Sequence, residues 1–270
     1  MTISIDSASC TRCGTCSEIC PMDLIEPAES KTLPRMKKEN EGMCIACGQC
    51  EAFCSSGALR MKGRGDEKKM ASKEGAISSD QLGLYLKTRR SIRCYRPDPV
   101  PKDTIRSILD IARYAASGGN GQPVEWLVIH DSKKVQKVAG LTADWMRELA
   151  KSNHPMSSYA PRLITAWESG NDVICRHAPH LLFPHIPEES PIAPTDAIIA
   201  LTHIDIAAPA FGIGTCWAGF VAMASRTYEP LQAMLALPEG RVPAYAMMLG
   251  YPTYKPEFIP GRKPLKVTWK

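Results

Sequence analysis

The sequence predicts an α+β protein in two parts, a small cysteine-rich unit at residues 1–63 and a larger helix-and-strand domain at 80–270, with a linker at 64–79. Three observations carry this. Eight of the eleven cysteines fall into two copies of one spacing within the first 54 residues. The stretch Gly63–Ser79 (GRGDEKKMASKEGAISS) is charged and poor in apolar residues, as linkers are. Beyond it, helical and strand periodicities alternate, as they do where helices cover a sheet.

In the first unit, Cys10, Cys13, Cys16 and Cys20 precede Pro21, and Cys44, Cys47, Cys50 and Cys54 precede Ser55. This C-x2-C-x2-C-x3-C spacing resembles that of bacterial-type [4Fe–4S] ferredoxins, in which the fourth cysteine of each run ligates the other cluster. The resemblance implies two [4Fe–4S] clusters, one on Cys10, Cys13, Cys16 and Cys54, the other on Cys44, Cys47, Cys50 and Cys20. The runs repeat with a period of 34 residues. Two copies, alike only in their cysteines, do not make a helical-repeat solenoid. Thr2–Ile5 and Ala58–Met61 are strand candidates at the ends of the unit, and each cysteine run sits on a loop entering a helical turn. So small a unit buries little apolar surface, and its clusters are expected to serve as its core. Ser55 stands where ferredoxins usually have proline, which restores a backbone donor for a cluster sulfur.

In the larger domain a helix-like stretch starts at Gln81. Lys102–Ala116 is amphipathic, with Ile105, Ile108, Leu109, Ala112 and Ala115 on one face and Pro101 near its start. Ser117-Gly118-Gly119 stops it. Val124–His130 and His180–Ile186 read as strands. Thr195–Phe211 reads as a largely apolar helix with Thr195 as its cap, ended by Gly212 and Gly214. Ala244–Leu249 is a short continuous apolar run of the kind found in buried strands. A central mixed sheet flanked by helices is the expected architecture.

Three separated segments of this domain have the chemistry of a phosphate-and-ring site. Arg89-Arg90-Ser91-Ile92-Arg93 offers three guanidiniums and a hydroxyl for charge-assisted bonds to phosphate. Ser117-Gly118-Gly119-Asn120-Gly121-Gln122-Pro123 combines permissive glycines with the amides of Asn120 and Gln122. Phe211–Phe220 sets small residues around aromatics. Alone, each has a plain reading as a solvated basic surface, a connecting loop or a packed turn.

Together and in this order, the segments resemble the FMN-dependent nitroreductase family over residues 82–270. That resemblance implies FMN, with Arg89, Arg90, Ser91 and Arg93 gripping its phosphate and ribityl chain. It implies that Ser117, Gly118, Asn120 and Gln122 reach the flavin held mainly by a second subunit, hence a homodimer with FMN at the interface. Cys216, Trp217, Ala218 and Gly219 would lie along the isoalloxazine ring, with backbone N–H groups near Ala218 and Gly219 facing N5 and O4. Arg262, in Arg262-Lys263-Pro264-Leu265, would return to the phosphate, with Lys255 and Lys263 both open as a further cation. Two departures stand out: Val124 follows Pro123 where the family often has tryptophan, and Trp126 comes two positions later. With the first unit, the chain resembles a ferredoxin–nitroreductase fusion.

The expected activity is an FMN-dependent oxidoreductase fed through the two clusters by a low-potential donor, either a ferredoxin-like protein or NAD(P)H. It would reduce a small organic acceptor such as a nitro compound or a quinone. The chemistry would take place at flavin N5 without a protein nucleophile. The alternative is an electron-transfer or redox-sensing protein whose partner is another protein. Gly212-x-Gly214 follows a helix and lacks a third glycine, so it is not a dinucleotide fingerprint. Cys175, His177, His180 and His185 lack a zinc spacing, although Cys216 or a histidine of the 177–185 region remains open as a proton donor. Cys94 and Cys216 read as packing residues.

Composition bounds the rest. Hydrophobic residues make up 44% and charged residues 23%, as in ordinary globular domains. Residues 1–65 hold eight Lys/Arg and eight Asp/Glu, so the net charge of +5 arises beyond them. It is too small and scattered for nucleic acid. The sequence has no secretory signal at Met1–Ser9 and no run long enough for a membrane helix. Cysteine-rich runs beside a separate hydrophobic core point to a reducing cytoplasm.

Overall fold

The structure is a computed structural model describing residues 3–29, 32–62 and 76–270. Thr2 and most of the expected linker lie outside the described residues. The chain divides into two compact units, Met1–Ala76 with Gly119–Gly121, and Ile77–Gly118 with Gln122–Lys270.

In the first unit β1 (Ile3–Ile5), α1 (Thr15–Glu18), β2 (Ile25–Glu26), β3 (Arg35–Met36), α2 (Gln49–Ala52) and β4 (Leu59–Met61) follow in order. Strands β1 and β4 pair antiparallel with Ile3 opposite Met61, and β2 pairs with β3 with Ile25 opposite Met36. The two ends of the unit therefore close on each other, as the terminal strand candidates suggested. Along β4 the side chains of Leu59 and Met61 are buried and that of Arg60 is exposed, the period-2 pattern of a one-sided strand. The core is Leu24, Ile25, Met36, Cys50, Leu59 and Met61, with Cys16, Cys20, Cys44 and Cys54 packed against it.

The second unit runs α3 (Ser79–Thr88), α4 (Lys102–Ala112), β5 (Glu125–Ile129), α5 (Ser132–Leu149), α6 (Ala160–Glu168), β6 (His180–Pro187), α7 (Ala193–Ala207), β7 (Gly214–Trp217), α8 (Gly219–Thr227), α9 (Glu229–Leu235), β8 (Arg241–Pro243) and β9 (Met247–Gly250). Helix α3 begins at Ser79, ahead of Gln81, because Ser78 and Gln81 form a reciprocal capping box. Helix α4 ends at Ala112, short of Ala116. The bonds Tyr114 N–H to Ile111 O and Ala115 N–H to Ala112 O tighten the chain out of the α-helix. Helix α7 starts at Ala193 with Pro194 in its first turn, so Thr195 lies inside it and Ile192 takes the cap position. Its α-helical part stops at Ala207, and a tighter turn, Ala208–Phe211, carries Pro209.

The sheet has the order β5-β6-β9-β7, with β8 also paired to β6. Its expected mixed character resolves into antiparallel neighbours throughout the described pairs. Two helices, α5 and α6, separate β5 from β6 and reverse the chain. The single crossover α7 leaves β6 and β7 running the same way, but β9 lies between them. Helices cover both faces. Leu181 and Phe183 of β6 and Met248 of β9 pack with α5, α8 and α9, while Leu182, Met247 and Leu249 pack with α4 and α7. Burial on both sides explains why these strands read as unbroken apolar runs. Among the described residues, no helix is long and apolar enough to cross a membrane.

Candidate functional site

The two cysteine runs adopt one backbone frame. Arg12 and Ala46 occupy the left-handed region (φ 56° and 53°), as do Gly14 and Gly48 (φ 82° and 79°). Each frame leads into a four-residue helix, α1 or α2. Cys20, from the first run, lines one apolar-walled cavity with Cys44, Cys47 and Cys50, against Leu24 and Ile25. Those are the four thiols that the crossed ferredoxin pattern assigns to one cluster. Burial pushes the Cys50 thiol up to about 11, with smaller contributions from Cys47, Cys20 and Cys44. A thiol so placed needs metal to hold it as thiolate. All eight cysteines are free of disulfides. Among the described residues no three His, Cys, Asp or Glu side chains converge on a point that would hold one metal ion. Four cysteine thiols lining one cavity are the donor type that holds an iron–sulfur cluster. A buried hydroxyl, Ser17 Oγ, has no hydrogen-bond partner beside Cys16.

In the second unit the arginine segment lies along β7. Ile92 N–H donates to Thr215 O at 2.8 Å, and Tyr95 O–H donates to Ile92 O at 2.8 Å. The approach requires glycine at 214, where a Cβ would lie 2.5 Å from Ile92 Cγ1. Sequence segments over a hundred residues apart thus become neighbours. Behind them sits Asp205 of α7, buried, accepting from Thr215 Oγ1, from Trp217 Nε1 at 3.2 Å and from Arg89 Nη1, 3.2 Å from its Oδ2. Only Arg89 Nη1 is engaged there. Arg90 donates to Arg89 O and Arg93 to Ser91 O, and neither makes an ion pair among the described residues. Two guanidiniums without carboxylate partners beside a serine suit a phosphate.

At the end of β7, Ala218 N–H donates to Ala246 O at 2.9 Å. That bond leaves the first-turn N–H groups of α8, starting at Gly219, as the available backbone donors. Trp217 meets Tyr245 edge-on at 5.1 Å. The thiol of Cys216 is pushed up by burial, partly offset by Arg93 and Arg176, which keeps it protonated and disfavours a nucleophilic role. In the loop, Gly118 N–H donates to Asp196 Oδ1 at 3.0 Å and Gln122 N–H to Ser117 Oγ at 3.1 Å. Asn120 and Gln122 both take positive φ, and Gly119–Gly121 groups with the first unit. Arg262 lies in the exposed tail beyond β9. Within one chain the structure brings the arginine segment and β7 together.

Residues 86–251 match the nitroreductase family, and residues 9–59 match a 4Fe-4S dicluster domain. The chain belongs to the nitroreductase family. It is an oxidoreductase of that family carrying a ferredoxin-like domain at its N-terminus. A Methanothermobacter thermautotrophicus protein, provisionally named NADH dehydrogenase/NAD(P)H nitroreductase, is 26% identical over 68% of this chain and 83% of its own length. An Archaeoglobus fulgidus protein with the same provisional name is 29% identical over 63% and 85%. A Bacteroides fragilis nitroreductase solved with bound FMN aligns with a TM-score of 0.56 at 22% identity, covering 70% of this chain and 98% of that one. That structure supports the fold.

Four residues of the nitroreductase domain escaped the sequence reading: Asp205, Asp196, Arg176 and Tyr245. Asp205 was the most legible, a carboxylate inside the apolar run of α7. Two of the histidines weighed as a metal site, His180 and His185, are held by hydrogen bonds within the fold. His180 donates from Nδ1 to His130 O at 3.0 Å and accepts Val100 N–H on Nε2 at 2.8 Å, while His185 Nδ1 accepts from Arg241 Nε at 3.2 Å. Cys175 is fully buried.

Proposed function

We propose that this nitroreductase binds FMN on the arginine segment and β7, receives electrons through two [4Fe–4S] clusters and reduces a small organic acceptor such as a nitro compound or quinone. The observation that carries the reading is the coexistence in one chain of a crossed four-cysteine cavity and an arginine segment bonded along a glycine-opened strand. The clusters supply one-electron steps and FMN supplies the exchange between one- and two-electron chemistry. The residues of the chain bind and orient. Arg90 and Arg93 would neutralise the phosphate and Ser91 would hydrogen-bond it, with Arg89 held from behind by Asp205. The N–H groups opening α8 at Gly219 would be the donors to the ring, and Trp217 is fixed by Asp205. The Asp196 bond to Gly118 braces the loop that the resemblance assigns to a second subunit. The same loop, by that resemblance, supports a homodimer with FMN at the subunit interface.

The test is anaerobic. Iron, sulfide and flavin are quantified, then NADH, NADPH or reduced ferredoxin is added while flavin absorbance is followed with and without a nitroaromatic. About eight irons and one FMN per chain are expected from two four-iron clusters. Bleaching by the donor should be followed by reoxidation by the nitroaromatic. Rapid bleaching by NAD(P)H in a Cys44→Ser variant would sink the inward relay. No turnover with any small acceptor would favour an electron carrier or sensor.

A further inference from the structure

The two cysteine runs share a backbone and differ in what surrounds their sulfurs. At matching positions of the frame, Thr11, Arg12 and Thr15 in the first run correspond to Ile45, Ala46 and Gln49 in the second. Thr15 Oγ1 lies 3.3 Å from Cys13 Sγ, and Ser56 Oγ lies 3.7 Å from Cys54 Sγ. A cluster-bound sulfur has no proton, so both hydroxyls must donate. Ser17 Oγ, buried without a partner next to Cys16, is a third hydroxyl at the same set of ligands. In the crossed pattern all of these belong to the site of Cys10, Cys13, Cys16 and Cys54, whose Cys13 is exposed. The other site lies in the apolar-walled cavity, where Cys50 is buried and Cys20 Sγ accepts a backbone N–H, that of Leu24, at 3.3 Å.

We propose that the two cluster sites are built to different potentials, with the hydroxyl-bonded site of Cys10, Cys13, Cys16 and Cys54 reduced first and the apolar site of Cys20, Cys44, Cys47 and Cys50 second. Reduction adds one electron and one negative charge to a cluster. Hydrogen bonds to the ligand sulfurs and contact with water stabilise that charge and raise the potential, whereas apolar walls oppose it. The Arg12 side, against Ala46 in the matching position, adds in the same direction. Given a low-potential one-electron donor, the first electron settles on the hydroxyl-bonded site. A second electron makes the apolar site the stronger reductant of the two. This inference rests on the two-cluster reading above.

The test is anaerobic potentiometry of the full-length, iron-loaded protein, followed by electron paramagnetic resonance. Two resolved one-electron steps are expected. Thr15→Val and Ser56→Ala should each lower the upper step and leave the lower one in place, while Thr15→Ser, which keeps the hydroxyl, should leave both. Gln49→Thr, which places a hydroxyl at the matching position of the second run, should raise the lower step. Eight irons with a single unresolved wave, or a Thr15→Val variant that leaves the upper step unmoved, overturns this inference alone. About four irons per chain overturns the two-cluster reading and the inference with it.

Discussion

The two units solve the problem of building a redox site in opposite ways. The ferredoxin-like unit has a core of six buried residues, one of them a cysteine, with four more cysteines packed against it. The nitroreductase unit has two extensive hydrophobic clusters, one on each face of its sheet, and buried polar braces between its elements. In the first, the cysteines surround a small apolar core and contribute one residue to it. In the second, the core is complete, and it holds Arg89, Ile92 and Trp217 in place through Asp205 and β7. Dependence on the cofactor for folding should therefore differ sharply between the units.

The largest effect that would break this comparison is iron removal. Chelation of the anaerobic protein should unfold the first unit, because cluster binding there is folding free energy, and leave the second intact. Hydrogen exchange reads this directly: amides of the β1–β4 and β2–β3 pairs should lose protection while those of β6 and β9 keep theirs. Persistent protection at Leu59 and Met61 would show that the small core stands without metal.

Next in size is Asp205→Ala. It removes one partner of a buried ion pair, a change worth about 3–5 kcal/mol, and should fall near the low end because Arg89 keeps 27% of its side chain exposed. Thr215 and Trp217 lose their acceptor as well. Urea unfolding of the second unit should shift while iron content does not. Asp205→Asn, which retains one oxygen acceptor for either the hydroxyl or the indole, should cost less.

What was legible in the sequence follows the same division. The cysteine frame was fully visible, since covalent ligand chemistry fixes spacing along the chain. The arginine segment and β7 were visible as motifs, but not their contact, because a backbone bond from Ile92 to Thr215 leaves no local signature. Between residues 131 and 179 the signal is weaker: Val135, Val138, Ala139 and Thr142 carry the helical spacing that α5 buries and Asp131 caps it, but polar residues interrupt the pattern. Asp205 leaves a local signal as a carboxylate in an apolar stretch, but its role depends on donors from three other positions that the local pattern does not show. Thr195 misled as a cap because proline at 194 is equally at home in a first turn.

A smaller effect is set by pH. Burial first, and the neighbouring His130 second, lower His180 from 6.5 to about 4. The folded state keeps it neutral, so protons bind more readily to the unfolded chain between these values. The stability linked to it is fully present above pH 6.5, falls as pH drops, and is gone below about 4. At 1.36 kcal/mol per pH unit this is about 3 kcal/mol as an upper bound. Protonation would also cost the Val100 N–H its acceptor. In a His180→Gln variant the slope of urea midpoint against pH between 4 and 6.5 should flatten. An unchanged slope would assign it elsewhere.

The finest distinction between the units lies in two glycines. Gly14 has φ +82° and open space where a Cβ would stand, so Gly14→Ala acts through backbone strain, about 1–2 kcal/mol. Gly214 has no such φ. A Cβ there meets Ile92 Cγ1 at 2.5 Å and Ile92 Cβ at 2.8 Å. Ile92 cannot simply retreat, since its own N–H is bonded to Thr215 O. Gly214→Ala should cost about 1–3 kcal/mol by overpacking and push the Arg89–Arg93 segment away from β7. Its signature is weaker FMN binding with iron content unchanged, partly restored by adding Ile92→Val. Gly14→Ala should do the reverse, lowering iron occupancy and leaving FMN affinity alone. If either alanine weakened both cofactors equally, the two units would not be independent in the way their cores imply.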